Sequence, residues 1–315
     1  MTSDENDDGD AEDLIDEEEK LNDLDVSQQL NTSTLNFDLT AGQATRITGS
    51  SRTSVILVAG APASGKTTLL TSIYESFQTG PFSDFQFAGS HTLHGFERRC
   101  HPSRIKSGLS MPETDRTRAE SDLKFLHLTI SDINNHGKHH QTLITDLPGE
   151  IFRSACDSID NCRRLTVLNR ADRLALLLDG DRLSHPESRH EEIQSGQSLL
   201  RSMLDSGMLD PNLCVDVLIT KYDKLIAGDG SSRFEEVIEG LVSDYSRLFE
   251  SRIKTINYAR VAARPEDGST LPLGYGLGDI FRSWVYSRRP LVTIRSTADI
   301  PISARQYDHY AYIQK

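Results

Sequence analysis

One stretch constrains this chain more than any other. Residues 54–77 read SVILVAGAPASGKTTLLTSIYESF: an apolar run, a loop with two glycines, then apolar residues at helical spacing. Gly60, four residues, Gly65, Lys66 and Thr67 fit the spacing of a loop that cradles phosphates between a strand and a helix. Gly60 and Gly65 allow backbone angles and a close approach that a side chain would block. The backbone of Gly60, Ala61, Ala63, Ser64 and Gly65, with the helix N-terminus, would face the phosphates. Lys66 would bridge the β- and γ-phosphates. The Thr67 hydroxyl would bind Mg²⁺, and Thr68 would reach the α-phosphate.

Two later stretches narrow the ligand. Asp146-Leu-Pro-Gly149 follows the apolar run TLIT. A carboxylate at the tip of that strand can hold Mg²⁺ through water, and the Gly149 amide can touch the γ-phosphate. Thr220-Lys221-Tyr222-Asp223 ends the buried-strand run VDVLI. The Asp223 carboxylate can accept from the guanine N1 and N2 groups. Adenine offers no such donor pair, so the wrong base leaves a charge unpaired. The Lys221 stem can lie over the base plane.

Around these motifs, strand and helix patterns alternate to about residue 286. That rhythm predicts a mostly parallel sheet with helices on both faces. DLKFLHLTI and TLIT are separated by the turn-rich SDINNHGKHHQ, which predicts one antiparallel hairpin strand. TLNFDLTAG, ahead of the first motif, reads as an extra edge strand. Residues 79–120 read as a long segment without clear structure, and such segments are usually functional or disordered.

Charge divides the chain. Residues 1–25 carry thirteen of its 47 acidic residues and one of its 34 basic residues, a charge of −12. The other 290 carry −1, so the net −13 belongs to a tail. Without aromatics that tail cannot bury enough surface to offset its ordering entropy. The near-neutral remainder offers no broad nucleic-acid footprint. No apolar run approaches the ~20 residues of a membrane span, and no signal peptide is evident. Four cysteines, 100, 156, 162 and 214, show no paired spacing, which points to a reduced, cytoplasmic protein. The expected organisation is a disordered acidic tail over 1–30, a nucleotide-binding domain over 31–290 with an insertion at about 79–120, and an extension over 291–315.

The ordered set GAPASGKT, DLPG and TKYD, with a hairpin before DLPG, resembles the translation-factor-related (TRAFAC) class of P-loop GTPases over residues 54–286. GFERRC, PETDRT, DLPGE and GYGLGDIFRSWV are similar to a double-GTPase family of bacterial conflict-associated systems. The resemblance implies a P-loop NTPase three-layer αβα sandwich that binds GTP and GDP with Mg²⁺. It also implies protein partners: a GTPase-activating-type subunit and a second GTPase-like protein.

Three departures from the class follow. Lys66 and Asp146 lie 80 positions apart, so the first switch falls in the long segment. Thr117, or else Thr114, would there sense the γ-phosphate and Mg²⁺. One of Arg98, Arg99, Arg104, Arg116 and Arg118 would be a built-in arginine finger, or all five surface charge. Glu150 stands where Ras-like enzymes carry the glutamine that orients water; it is either catalytic or an acid in the first turn of the following helix. Val261-Ala262-Ala263 replaces the usual Ser-Ala-Lys, and the amide of Ala262 or Ala263 would meet guanine O6.

His91, His94, Cys100 and His101 sit close together in sequence but lack a second ligand pair of standard spacing for zinc. HGKHH, residues 136–140, reads as a solvated hairpin turn. The expected function is a GTP-binding switch with slow hydrolysis. The alternatives are a non-hydrolysing, GTP-dependent assembly module and, more weakly, a P-loop kinase.

Overall fold

The computed structural model describes residues 37–101, 123–135, 138–210, 212–228 and 230–287. The tail over 1–30, residues 102–120 of the insertion with Thr114, Thr117, Arg104, Arg116 and Arg118, and the extension over 291–315 lie outside them.

The first apolar run forms β2 (Thr53–Gly60), every residue of which is buried. Such a strand has no solvent face and must be covered on both sides. Along it Val55, Leu57 and Ala59 enter one apolar cluster, and Ile56 and Val58 the other. The period-2 alternation of a strand thus divides one apolar run between two layers. β6 (Arg173–Asp179) repeats the device, with Leu174, Leu176 and Leu178 on one side and Ala175 and Leu177 on the other.

The remaining strands are β1 (Leu39–Thr40), β3 (Phe85–Gly89), β4 (Lys124–Asp132), β5 (His139–Thr145), β7 (Cys214–Thr220) and β8 (Thr255–Arg260). The sheet runs β1-β4-β5-β2-β6-β7-β8, with β3 also paired to β4. β5, β2, β6, β7 and β8 are mutually parallel. β4 is antiparallel to each of its three neighbours, β5, β1 and β3. The expected hairpin strand is therefore present, within a mostly parallel eight-strand sheet between helical layers.

The helices are α1 (Ala41–Ser50), α2 (Lys66–Thr79), α3 (Leu93–Cys100), α4 (Gly149–Asp157), α5 (Ile159–Arg164), α6 (Gly180–Ser184), α7 (Pro186–Asp205), α8 (Tyr222–Gly228), α9 (Gly230–Phe249) and α10 (Leu277–Val285). α2 and α10 cover one face with Leu69, Ile73, Phe281 and Trp284. α7 and α9 cover the other with Leu199, Met203, Leu241 and Tyr245. None of the described helices is long and apolar enough to cross a membrane.

Three expectations need correction. The segment 79–120 is not structureless throughout: it holds β3 and α3. The edge strand before the core is two residues long, because Thr40 and Gln43 form a reciprocal capping box that starts α1. His139 and His140 are not turn residues; they open β5.

His127 lies inside the sheet with no exposed surface. Its Nδ1 accepts from the His91 amide, and its Nε2 meets Gln141 Oε1. Burial pushes its pKa down to about 4 against the pull of the Gln141 contact, and His91 depresses it further. The unfolded chain therefore takes up a proton between about 6.5 and 4 that the folded chain refuses. Stability contributed by neutral His127 is full above that window and lost as pH falls through it, a loss of about 3 kcal/mol. Urea unfolding across the window checks this: His127→Gln is expected to flatten the acid slope.

Candidate functional site

Because β2, β5, β6, β7 and β8 are parallel, their carboxyl ends lie at one edge of the sheet, where open α/β folds bind ligands. The loop after β2 turns through Ala63 (φ 63°) and Gly65 (φ 88°) into α2. Leu69 N donates to Gly65 O (2.8 Å), so the helix begins at the loop. Lys66 is only 8% exposed. Its Nζ donates to Gly60 O (3.0 Å) and Ala61 O (2.8 Å), folding the side chain back over its own loop. Burial lowers its pKa to about 8, while Asp146, Glu150 and Glu192 pull the other way. These three carboxylates mark the acidic surroundings of Lys66. Thr67 and Thr68 follow in the first turn of α2.

The DLPG stretch lies directly on this loop. A Cβ on Gly149 would stand 2.3 Å from Pro62 N and 2.8 Å from Ala61 C. Both obstacles are backbone, so they cannot swing aside. Gly149→Ala is expected to cost about 1–3 kcal/mol through forced separation of the two loops. Thermal melting without nucleotide checks it; an unchanged melting temperature would refute the close packing. Glu150 occupies the first turn of α4, whose N-cap, Pro148, offers no side-chain acceptor. An acid there suits the helix dipole.

Asp146, immediately after β5, is 2% exposed. Arg99 Nε donates to its Oδ2 at 2.7 Å. Of the five candidate arginines, Arg99 is thus bound to a site carboxylate, and Arg98 stacks over the Phe37 ring at 5.1 Å. Thr67 and Asp146 offer a hydroxyl and a carboxylate, hard oxygen donors that fit Mg²⁺ in kind.

Thr220 joins the third motif to the first. Its hydroxyl donates to Ser64 O (2.8 Å) and lies 3.1 Å from Leu178 O. Lys221 has positive φ (46°) and its Nζ pairs with Asp179 Oδ2 (2.6 Å) at the end of β6. Asp223, 8% exposed, accepts from the Glu266 amide at 3.0 Å. Asp223, Lys224, Ile226 and Ala227 face the loop Glu266–Thr270 across a recess of about 320 Å³. The Ala262 amide donates to Tyr275 O (3.1 Å) and is already engaged; the Ala263 carbonyl accepts from Gly274 N.

Sequence reasoning did not find two groups at this edge. Glu192, buried on α7, accepts from Asp179 N (2.8 Å) and pairs with Arg182 (2.9 Å). Burial raises its pKa, against the Asp179 amide contact. The other is the Arg99 pair with Asp146; neither leaves a motif in the sequence. The His91–His101 cluster does not converge: Cys100 is sunk in the core and the His91 ring lies tilted against His127. Among the described residues no group of three or more His, Cys, Asp or Glu is placed to hold a metal.

The family model for Double-GTPase 2 matches residues 54–285. Comparison with curated protein sequences gives no match. Similar solved structures include the signal recognition particle receptor SRb-GTP/SRX complex from Chaetomium thermophilum (14% identity, TM-score 0.41, covering 74% of this chain and 96% of that one). Another is the G domain of the T. maritima FeoB iron transporter (16%, 0.35, 74% and 98%). A third is Methanosarcina barkeri Roco2 RocCORdC bound to GDP (12%, 0.35, 75% and 51%).

Proposed function

This chain belongs to the Double-GTPase 2 family, and on that premise we propose that it is a Mg²⁺-dependent switch that binds GTP and hydrolyses it slowly. One observation carries the reading. Three motifs, up to 163 positions apart from Gly60 to Asp223, meet at one sheet edge, where Thr220 bonds Ser64 and Gly149 rests on Pro62.

In this reading the loop amides and Lys66 bind the phosphates and neutralise the charge that develops as water attacks the γ-phosphorus in line. Thr67 and Asp146, with Thr117 from the insertion, would hold Mg²⁺, which supplies charge neutralisation at the phosphates. Asp223 selects guanine, the Lys221 stem covers the base, and the Ala263 amide meets O6. Glu150 lies in the first turn of α4, where it can accept from water but adds negative charge beside the γ-phosphate. That charge is the reason for slow turnover. Loss of the γ-phosphate would release Gly149 and Thr117 and change affinity for a partner. The partners in this reading are a GTPase-activating-type subunit and a second GTPase-like protein.

Glu150 also favours a second reading, a GTP-bound assembly module that does not turn over. Identifying the nucleotide in protein purified natively, then following phosphate release on the same sample, separates the two. Bound guanine nucleotide with multiple turnover supports the switch. Bound GTP without phosphate release supports the module, and adenine nucleotide would refute both.

A further inference from the structure

Arg99 is 4% exposed on α3, within the stretch separating the phosphate loop from the hairpin. Its three contacts are Nε to Asp146 Oδ2 (2.7 Å), Nη2 to Asp38 Oδ1 (2.7 Å) and Nη1 to Gly95 O (3.0 Å). A single buried cation is therefore shared between two carboxylates, whose side chains are 1% and 10% exposed for Asp146 and Asp38.

The segment carrying Asp38 is pressed onto the same helix. A Cβ on Gly95 would lie 1.7 Å from the Phe37 carbonyl oxygen, so only glycine lets the two backbones come this close. Arg98 holds the Phe37 ring from above. Asp38 thus reaches Arg99 from a chain segment fixed in place just ahead of β1, remote from the three motifs in sequence.

A guanidinium between two carboxylates is held less tightly by each than it would be by one alone. A divalent cation approaching Asp146 gains from that carboxylate and is repelled by Arg99. We propose that Arg99 is a positioning residue that competes with the divalent cation for Asp146, and that Asp38 sets the strength of the competition. The inference rests on the reading of Asp146 as the carboxylate that faces Mg²⁺. It makes the segment ahead of β1 a control point for Mg²⁺-dependent nucleotide retention.

The test follows the release rate of a fluorescent GDP analogue from the full-length protein as free Mg²⁺ is varied. Asp38→Asn leaves Arg99 to Asp146 alone, so half-maximal retention is expected to need about three- to tenfold more Mg²⁺. Arg99→Gln removes the rival cation and is expected to need less. Shifts of opposite sign are the signature, because a clamp that merely stabilised the fold would weaken in both variants and move both the same way. If Arg99→Gln does not fold, Asp38→Asn and Asp38→Glu decide, the glutamate being expected to return the wild-type midpoint. An Asp38→Asn midpoint that is unmoved or lower overturns the inference. Release from wild type that ignores Mg²⁺ overturns the metal assignment as well; Mg²⁺-sensitive wild type with an unmoved Asp38→Asn overturns this inference alone.

Discussion

Replacing Lys66 with alanine is expected to weaken GTP binding by about 10²–10³-fold, as a charge pair at roughly 4 Å in a half-screened site contributes about 4 kcal/mol. The ammonium is buried and turned back onto Gly60 O and Ala61 O. Those carbonyls lie in the loop itself, so a short movement of the side chain would exchange them for phosphate oxygens. Burial has already removed part of the water that would otherwise compete for the charge. Titration calorimetry with GTP and Mg²⁺ checks the loss. Lys66→Ala also strips a donor from two carbonyls, so a melting curve of the nucleotide-free variant must accompany the titration. A folded variant that keeps GTP affinity within about threefold would sink the phosphate assignment.

The Asp223→Asn substitution is expected to reduce GTP affinity by about 10²–10³-fold while leaving ATP affinity nearly unchanged. Asparagine has the same shape, and its carbonyl oxygen can still accept from the Glu266 amide, so the loop Glu266–Thr270 should remain in place. What disappears is the second acceptor and the charge. Guanine N2 or N1 would then face an amide NH₂, donor against donor. Competition of GTP, ATP and GDP against a fluorescent guanine nucleotide reads the ratio directly. If the GTP-over-ATP preference survives in the variant, the base is read elsewhere.

The parts of the site that were legible in the sequence are those where chemistry needs particular residues at a fixed local spacing. GAPASGKTT, DLPG and TKYD each follow an apolar strand run, and the parallel sheet brings their strands to one edge. The β4–β5 hairpin was legible for a similar reason, since turn residues separate two apolar stretches. What stayed hidden depends on contacts distant in sequence. Asp38, Arg99 and Asp146 are 61 and 47 positions apart and obey no spacing rule. Glu192 looks like one more polar residue on a helix until its burial against Asp179 is seen. β3 is five residues long, too short for its alternation to stand out beside Gly80, Pro81 and its own Gly89. The start of α1 did leave a signal: Thr40 and Gln43 stand in capping-box spacing, masked by the alternating residues just before them.

The way the outer side of β4 is closed has a consequence for hydrogen exchange. β1 pairs with Lys124 and Phe125 at one end of this strand, and β3 with Thr129 to Asp132 at the other. Between them His127 turns its backbone outward, and side chains take the place of a strand: Thr92 Oγ accepts from His127 N (2.9 Å) and Ser90 Oγ donates to His127 O (2.6 Å). A strand edge with open amides exchanges quickly with solvent and can template a foreign strand. Here the gap runs over only the three residues 126–128, and the backbone groups of its middle residue are already taken by two hydroxyls. The His127 amide should therefore carry deuterium protection close to that of the sheet interior, and the protection would depend on Thr92, a residue that belongs to no strand.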